Sequence, residues 1–211
     1  MKTELYQKAM IARSYPEFAD CFKEGCSRCS LSDHPGNRPV LYRGRPDAPI
    51  ALFGEAPGRE EQRTGIPFVG PAGELLDRIL NAIDINTNTD MCITNIVYCQ
   101  PRAENGSGRQ NYTPKTEQIV RCWHFGKKAL ELLNPKILIA CGLPAAHTLL
   151  DDQSLKMGEI EGRWLGSRIF VMRHPASLLH LMSHDKDAYL TARAKVWEYM
   201  QRFRDTYRDK L

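Results

Sequence analysis

The chain has 211 residues, enough for one substantial hydrophobic core, and typical domain sizes predict a single domain over residues 1–211. Charged residues make up 26% of the sequence and hydrophobic residues 42%, proportions that exclude the disordered and fibrous classes. The formal net charge of +4 permits an anionic partner such as nucleic acid, although no long basic run concentrates that charge.

Targeting signals and cysteine usage indicate the compartment. No stretch of about 18 apolar residues could span a bilayer, and the N-terminal segment lacks the apolar core of a secretory signal. We therefore expect a cytoplasmic protein with no membrane partner. Disulfides are rare in a reducing compartment, so the Cys-x-x-Cys pair formed by Cys26 and Cys29 indicates metal or redox chemistry.

Strand and helix patterns alternate along the chain. In order, they predict a strand at residues 49–53, a helix at 73–83, a strand at 91–97, a helix at 116–133, a strand at 136–141, a helix at 144–150, a strand at 169–172 and a helix at 187–207. This order favours an α/β fold, a three-layer α/β/α sandwich with a short, mainly parallel four-stranded central sheet. Ligands bind such sheets beyond the carboxyl ends of the strands.

The segment after the first predicted strand, GEAPGREEQRTGIPFVGPAGELL, covers residues 54–76. Its glycines and prolines predict an irregular loop that presents Glu55, Glu60 and Glu61 near the strand end. On composition alone, a solvated acidic loop explains it equally well.

This segment resembles the first motif of the uracil-DNA glycosylase superfamily, in the iron–sulfur branch called family 4, where G-E-(A/G)-P-G precedes an acidic residue and P-F-V-G. The resemblance continues through Ile93-Thr94-Asn95, through HPASLL at residues 174–179 and through four cysteines in the family's order. It implies an α/β fold and a hydrolase of base excision repair that flips uracil out of DNA and cuts its N-glycosidic bond, leaving an abasic site. The implied partner is uracil-containing DNA, single- or double-stranded, and we expect a monomer.

The resemblance also implies a four-iron, four-sulfur (4Fe-4S) cluster. The positions that match its ligands are Cys26, Cys29, Cys99 and Cys122. Thiolates suit an iron–sulfur cluster or zinc, so a zinc site with the same ligands, or a set of buried free thiols, remains open. The cysteines outside the pattern, which we expect in the core, are Cys21, Cys92 and Cys141.

Three matched residues would act on the flipped base. Phe68 would form the floor on which uracil stacks, Asn95 would pair with the polar edge of uracil and reject cytosine, and His174 would donate a hydrogen bond to uracil O2 as charge develops. The alternatives are a core aromatic, an amide that bonds its local backbone, and a structural histidine.

Further substrate contacts are implied at Gly54, Ala56, Gly58, Ser177 and Leu178. Leu178 and the neighbouring Leu179 would wedge into the duplex, or would be buried residues of a helix.

Activation of water is undecided between two carboxylates. The best-known branch of the superfamily has Asp where this chain has Ala56, so Glu55 and Glu61 are the candidates for polarising water or stabilising the sugar cation.

The loop at residues 102–114 is longer than we expect for family 4. A long loop here resembles family X, whose members become covalently trapped on uracil-DNA through a histidine, but this region contains no histidine. We therefore favour an enzyme that releases its products over a protein that stays covalently bound to DNA. The alternatives are a uracil-DNA-binding or trapping protein, a glycosylase for another modified base, and a metal-dependent hydrolase or redox protein built on Cys26 and Cys29.

Overall fold

A computed structural model describes residues 2–34, 36–102 and 112–211. Its strands are β1 (Arg43–Gly44), β2 (Ile50–Gly54), β3 (Met91–Asn95), β4 (Ile137–Cys141), β5 (Trp164–Leu165) and β6 (Ile169–Met172). They form one sheet in the order β1-β3-β2-β4-β6-β5. The four inner strands are parallel, and β1 and β5 each add two antiparallel residues at an edge.

Helices connect the strands. They are α1 (Lys2–Ile11), α2 (Tyr15–Asp20), α3 (Arg59–Thr64), α4 (Pro71–Asn81), α5 (Thr116–Leu133), α6 (Leu143–Leu150), α7 (Met157–Ile160), α8 (Pro175–His184) and α9 (Lys186–Tyr207), followed by a 3-10 turn at Arg208–Lys210. No helix in the described part of the chain is long and apolar enough to cross a membrane.

Alternate side chains of each central strand enter two different hydrophobic clusters. In β2, Ala51 and Phe53 pack with α1, α2, α5 and α6, whereas Ile50 and Leu52 pack with α4, α8 and α9. A strand that is buried on both faces has to be apolar throughout, which explains why these runs do not alternate with polar residues. The two clusters rest on opposite faces of one sheet, which supports a single domain, although that stays a prediction.

The predicted three-layer fold with four parallel strands is confirmed, and two short edge strands add to it. The prediction that residues 54–76 form an irregular loop is wrong. Helix α3 lies inside this segment, between Gly58 before its first residue and Gly65 after its last, and Gly70 and Pro71 begin α4. The glycines cap helices here. Gly65, which ends α3, adopts a φ of 76°, a conformation that favours glycine.

Candidate active site

The carboxyl ends of β2, β3 and β6 lead into one pocket. Gly54 at the end of β2 is paired in register with Asn95 at the end of β3, and His174 follows β6 directly as the N-cap of α8. The pocket encloses about 400 Å3, and its walls include Glu55, Phe68, Asn95 and His174. Residues from three separate motifs are thus brought together.

Phe68 forms part of the pocket in a strained backbone conformation. Its φ is 54°, a left-handed value that bulky residues rarely adopt. The ring is 6% exposed, and its centroid lies 5.7 Å from that of the His174 ring. A Cβ on Gly73 would lie 1.8 Å from the Phe68 carbonyl oxygen, so only glycine lets α4 approach this turn.

Glu61 holds the turn that carries Phe68. Its Oε1 accepts hydrogen bonds from the backbone N–H groups of Val69, at 3.0 Å, and Gly70, at 2.8 Å. The residue is 9% exposed, so backbone N–H groups replace water as hydrogen-bond donors to this carboxylate. Glu61 also lines the pocket, but its Oε1 is occupied by the protein's own backbone.

Asn95 is 1% exposed, and its Oδ1 has no hydrogen-bond partner among the described residues. A buried amide oxygen without a partner is costly, and such groups are rare outside functional sites. A Cβ on Gly54 would lie 2.5 Å from this oxygen and 2.5 Å from Cζ of Phe68. Gly54 is not among the residues that line the pocket, but its lack of a side chain lets Asn95 and Phe68 converge there.

His174 is a neutral hydrogen-bond donor in this structure. Its Nδ1 accepts a hydrogen bond from the Ala176 backbone N–H at 3.2 Å, so the ring proton resides on Nε2. Burial lowers the pKa of His174 to about 4, although the nearby Glu61 charge acts in the opposite direction. An uncharged Nε2–H group thus remains free to donate.

Glu55 differs from Glu61 in its surroundings. It is half-buried and its Oε1 is buried without a hydrogen-bond partner among the described residues. Burial raises the pKa of Glu55 above its usual value, and no cation among the described residues offsets that effect. Of the two candidate carboxylates, Glu61 has one oxygen engaged by backbone donors, whereas no described residue donates to the buried Oε1 of Glu55, which favours Glu55 as the one that interacts with a substrate.

The remaining predicted contacts divide into two groups. Ala56 and Gly58 line the pocket, whereas the Ser177 hydroxyl donates to the His174 carbonyl oxygen at 2.8 Å and stabilises the start of α8. Leu178 is 2% exposed and packs in the core, which agrees with the alternative of a buried helix residue and not with a wedge into the duplex, whereas Leu179 lines the pocket. Helical geometry explains this, since consecutive residues point about 100° apart.

Sequence reasoning missed several residues of the pocket. Tyr112 and Arg59 both line it, and so does Pro101. Tyr112 immediately follows residues 103–111, which make up most of the long loop and lie outside the described residues. An aromatic residue directly after a polar, glycine-containing insert is the signal that could have identified Tyr112.

The four cysteines of the predicted cluster site line one small cavity, together with apolar and aromatic side chains and Arg28. The Tyr98 backbone N–H donates to Cys122 Sγ at 3.4 Å. The pKa of Cys99 is raised, mainly by burial and to a smaller extent by the neighbouring thiols of Cys122, Cys26 and Cys29. As they stand, no three or more His, Cys, Asp or Glu side chains among the described residues form a group that could hold a metal ion. Cys92 and Cys141 are buried in the core as predicted, and Cys21 is partly buried.

Comparison with known proteins agrees with this fold. Residues 41–201 match the uracil DNA glycosylase superfamily model, and the chain belongs to that superfamily. A type-4 uracil-DNA glycosylase from Thermotoga maritima is 34% identical over 76% of this chain and 81% of its own length. Type-4 enzymes from Pyrobaculum aerophilum and Saccharolobus solfataricus are 31% and 33% identical, each over 74% of this chain and over 80% and 73% of their own lengths.

Proposed function

We propose that this chain is a monofunctional uracil-DNA glycosylase that hydrolyses the bond between uracil N1 and the deoxyribose C1′. The observation that carries the proposal is a single pocket in which an aromatic ring, a buried unpaired amide and a neutral Nε2–H donor converge at Phe68, Asn95 and His174. Its chemistry fits a flat, polar-edged base that leaves as an anion.

Base recognition uses Phe68 and Asn95. The uracil ring stacks on Phe68, and the Asn95 amide pairs with the edge of the base, its NH2 donating to O4 and its Oδ1 accepting from N3–H. Cytosine presents a donor and an acceptor in the reverse order, so pairing with it would leave Asn95 unsatisfied in a buried place.

Bond cleavage transfers charge to the base and a hydroxyl group to the sugar. The N1–C1′ bond breaks, its electron pair leaves with uracil, and the His174 Nε2–H donates a hydrogen bond to O2 as that oxygen becomes negative. Water adds to C1′ and gives its proton to the Glu55 carboxylate, from which the uracil anion is finally protonated. Glu61 positions the Phe68 turn in this scheme.

We further propose that Cys26, Cys29, Cys99 and Cys122 hold an iron–sulfur cluster. Support comes from four thiols around one small cavity and from the type-4 names of the relatives. When bound, the cluster would cross-link three chain segments without entering the reaction, because hydrolysis needs no electron transfer. Metal analysis and visible absorption of anaerobically purified protein test this: iron with sulfide supports it, whereas zinc alone contradicts it. Cys122→Ser should lose the metal.

The test of function is a labelled oligonucleotide with one uracil, incubated with the enzyme and cleaved by alkali at abasic sites. Cleavage that requires uracil and falls sharply in His174→Ala supports the proposal. Intact DNA, or DNA retained covalently on the protein, contradicts it. We expect the enzyme to act as a monomer on uracil-containing DNA and to be cytoplasmic.

A further inference from the structure

A second cleft lies beside the base pocket and is lined by four arginines, Arg38, Arg59, Arg63 and Arg102. It encloses about 610 Å3, and none of the described residues that line it is acidic. We call it the arginine groove. The four residues are scattered along the sequence, so the fold alone creates this concentration of positive charge.

The floor of the groove is held by buried amide side chains. Gln62 donates to the Gly36 carbonyl oxygen at 3.3 Å and accepts from the Gln100 backbone N–H at 3.4 Å. Asn37 donates to the Leu31 carbonyl oxygen at 2.8 Å and to that of Gln100 at 3.0 Å. Gln62 and Gln100 are each 5% exposed, so this network fixes the backbone on both sides of the groove.

The arginines are only partly neutralised. Arg63 pairs with Glu60 at 2.9 Å, and Arg102 Nε donates to the neutral Gln100 side chain at 3.3 Å. Arg38 and Arg59 are exposed and have no ion pair with any described residue. Guanidinium groups bind phosphate oxygens with two parallel hydrogen bonds, so the unpaired arginines suit a phosphodiester.

The groove is continuous with the base pocket. Arg59 lines both, and Pro101, which lines the base pocket, lies between Gln100 and Arg102 of the groove. A DNA strand whose uracil enters the pocket continues on both sides of that nucleotide, and the groove that shares Arg59 with the pocket is a surface that one side can follow.

We propose that the arginine groove binds the backbone phosphates of the uracil-carrying strand next to the flipped nucleotide. This rests on the proposed function. The groove fixes the position of the strand without reading its sequence, because phosphates are the same at every nucleotide. Arg38 and Arg102 serve as the test positions, since neither lines the base pocket.

The first experiment measures binding by fluorescence anisotropy between 50 and 200 mM salt, the range over which phosphate contacts weaken steeply. The probe is a single strand with one 2′-fluoro analogue of deoxyuridine, which resists cleavage. Arg38→Gln and Arg102→Gln should each raise Kd by roughly two- to tenfold and reduce the slope of log K against log salt by about 0.7. Arg202→Gln, on the exposed face of α9, is the matched control.

Neutral linkages locate the contact. Replacing one phosphate at a time by methylphosphonate should weaken wild-type binding at one or two positions on a single side of the analogue, and the same replacement should cause no further loss in Arg38→Gln or Arg102→Gln. Unchanged Kd and slope in both variants, compared with Arg202→Gln, would overturn the proposal. So would variants that lose affinity for inorganic phosphate alone while binding DNA normally.

Failure of the proposed function is distinguishable. A wild-type protein that releases no uracil, but whose DNA binding still weakens in both arginine variants, would remove the glycosylase assignment and keep the groove as a DNA-binding site. A protein that releases uracil, but whose two arginine variants bind DNA normally, would keep the glycosylase assignment and remove the groove as a DNA-binding site.

Discussion

Glu61 and Gly70 are joined by a hydrogen bond of 2.8 Å between the carboxylate Oε1 and the backbone N–H, and the same oxygen accepts from Val69. The turn that these bonds hold contains Phe68 at a φ of 54°. Strained backbone persists only where its surroundings determine it. Glu61 is therefore a positioning residue for the aromatic floor of the pocket.

Substitutions of Glu61 separate positioning from proton transfer. Glu61→Ala removes the acceptor of two backbone donors and should lower the free energy of unfolding by about 1–3 kcal/mol, because buried N–H groups lose their partner. It should also raise KM for uracil-DNA as the Phe68 turn relaxes. Glu61→Gln keeps an oxygen that accepts both bonds and should restore most of the stability and KM. Thermal melts and steady-state kinetics measure both.

A different outcome would assign Glu61 to the chemistry. If Glu61→Gln has normal stability and KM but is as inactive as Glu61→Ala, the carboxylate itself is required and the positioning role fails. Glu74→Gln serves as the control, because Glu74 is an exposed carboxylate in the first turn of α4 and does not line the base pocket.

Glu55 should lower stability while supporting activity. Its pKa is raised by burial from the usual 4.5, so the folded state binds this proton more tightly than the unfolded state and stability falls as pH rises through the raised pKa. Glu55→Gln should therefore melt higher than wild type at pH 8, and the difference should vanish below pH 4.5. Single-turnover excision should fall by roughly 100-fold or more. An equal or lower melting temperature at pH 8 would refute the unpaired buried carboxylate.

The pH dependence of excision should follow Glu55 and not His174. With its pKa at about 4, His174 is neutral throughout the working range and keeps its Nε2–H, so its protonation should not produce an acid limb near pH 6.5. Its depressed pKa instead makes stability fall as pH drops from 6.5 towards 4, because the unfolded state takes up the proton first. Nuclear magnetic resonance titration of the His174 ring checks this, and a pKa near 6.5 would contradict it.

His174→Leu, whose side chain has no hydrogen-bond donor, is the companion variant. It should reduce the single-turnover rate by roughly 100- to 1000-fold, the usual effect of removing one donor at a developing anion. It should also remove the loss of stability between pH 6.5 and 4.

The sequence was sufficient for the central sheet because continuous apolar runs such as residues 137–141 are typical of strands buried on both faces. Helix α5 was predicted with its observed limits, since its apolar spacing is regular and Pro135 follows its end. Helix α3 was missed because Gly58 and Gly65 were interpreted as loop residues, although a glycine at a helix end has the same local pattern.

Site residues were predictable from the sequence only where they stand in a short motif. His174 and Asn95 stand in short matched motifs, and the pocket contains both. The division of roles between Glu55 and Glu61 depends on which oxygen meets a backbone donor, and sequence does not encode that contact directly. Arg38 and Arg102 approach each other only through the folded chain, so no local pattern indicated the arginine groove.

Glu161 should hold Arg173, the residue before His174, in place. Its side chain is 0% exposed and bonds Arg173 at 2.8 Å and Lys195 at 2.9 Å. Burial alone would raise the pKa of Glu161, but the hydrogen bonds from both cations hold it below its usual value. Glu161→Gln should lower the free energy of unfolding by roughly 3 kcal/mol at pH 7, and less as pH falls below 4.5. Glu198→Gln breaks an exposed pair and should change it by less than about 1 kcal/mol; equal effects would refute the prediction.

Asn95→Asp tests base selection directly. Aspartate keeps the shape of asparagine but has no N–H donor, so it cannot donate to uracil O4 and places a charge where Asn95 is 1% exposed. Excision of uracil should fall by roughly 100-fold or more, and the ratio of uracil to cytosine excision should fall with it, because a carboxylate accepts from the cytosine amino group. Competition between oligonucleotides carrying either base measures this ratio. Asn81→Asp, at the exposed end of α4, controls for added charge, and an Asn95→Asp enzyme with unchanged rate and ratio would remove Asn95 from base reading.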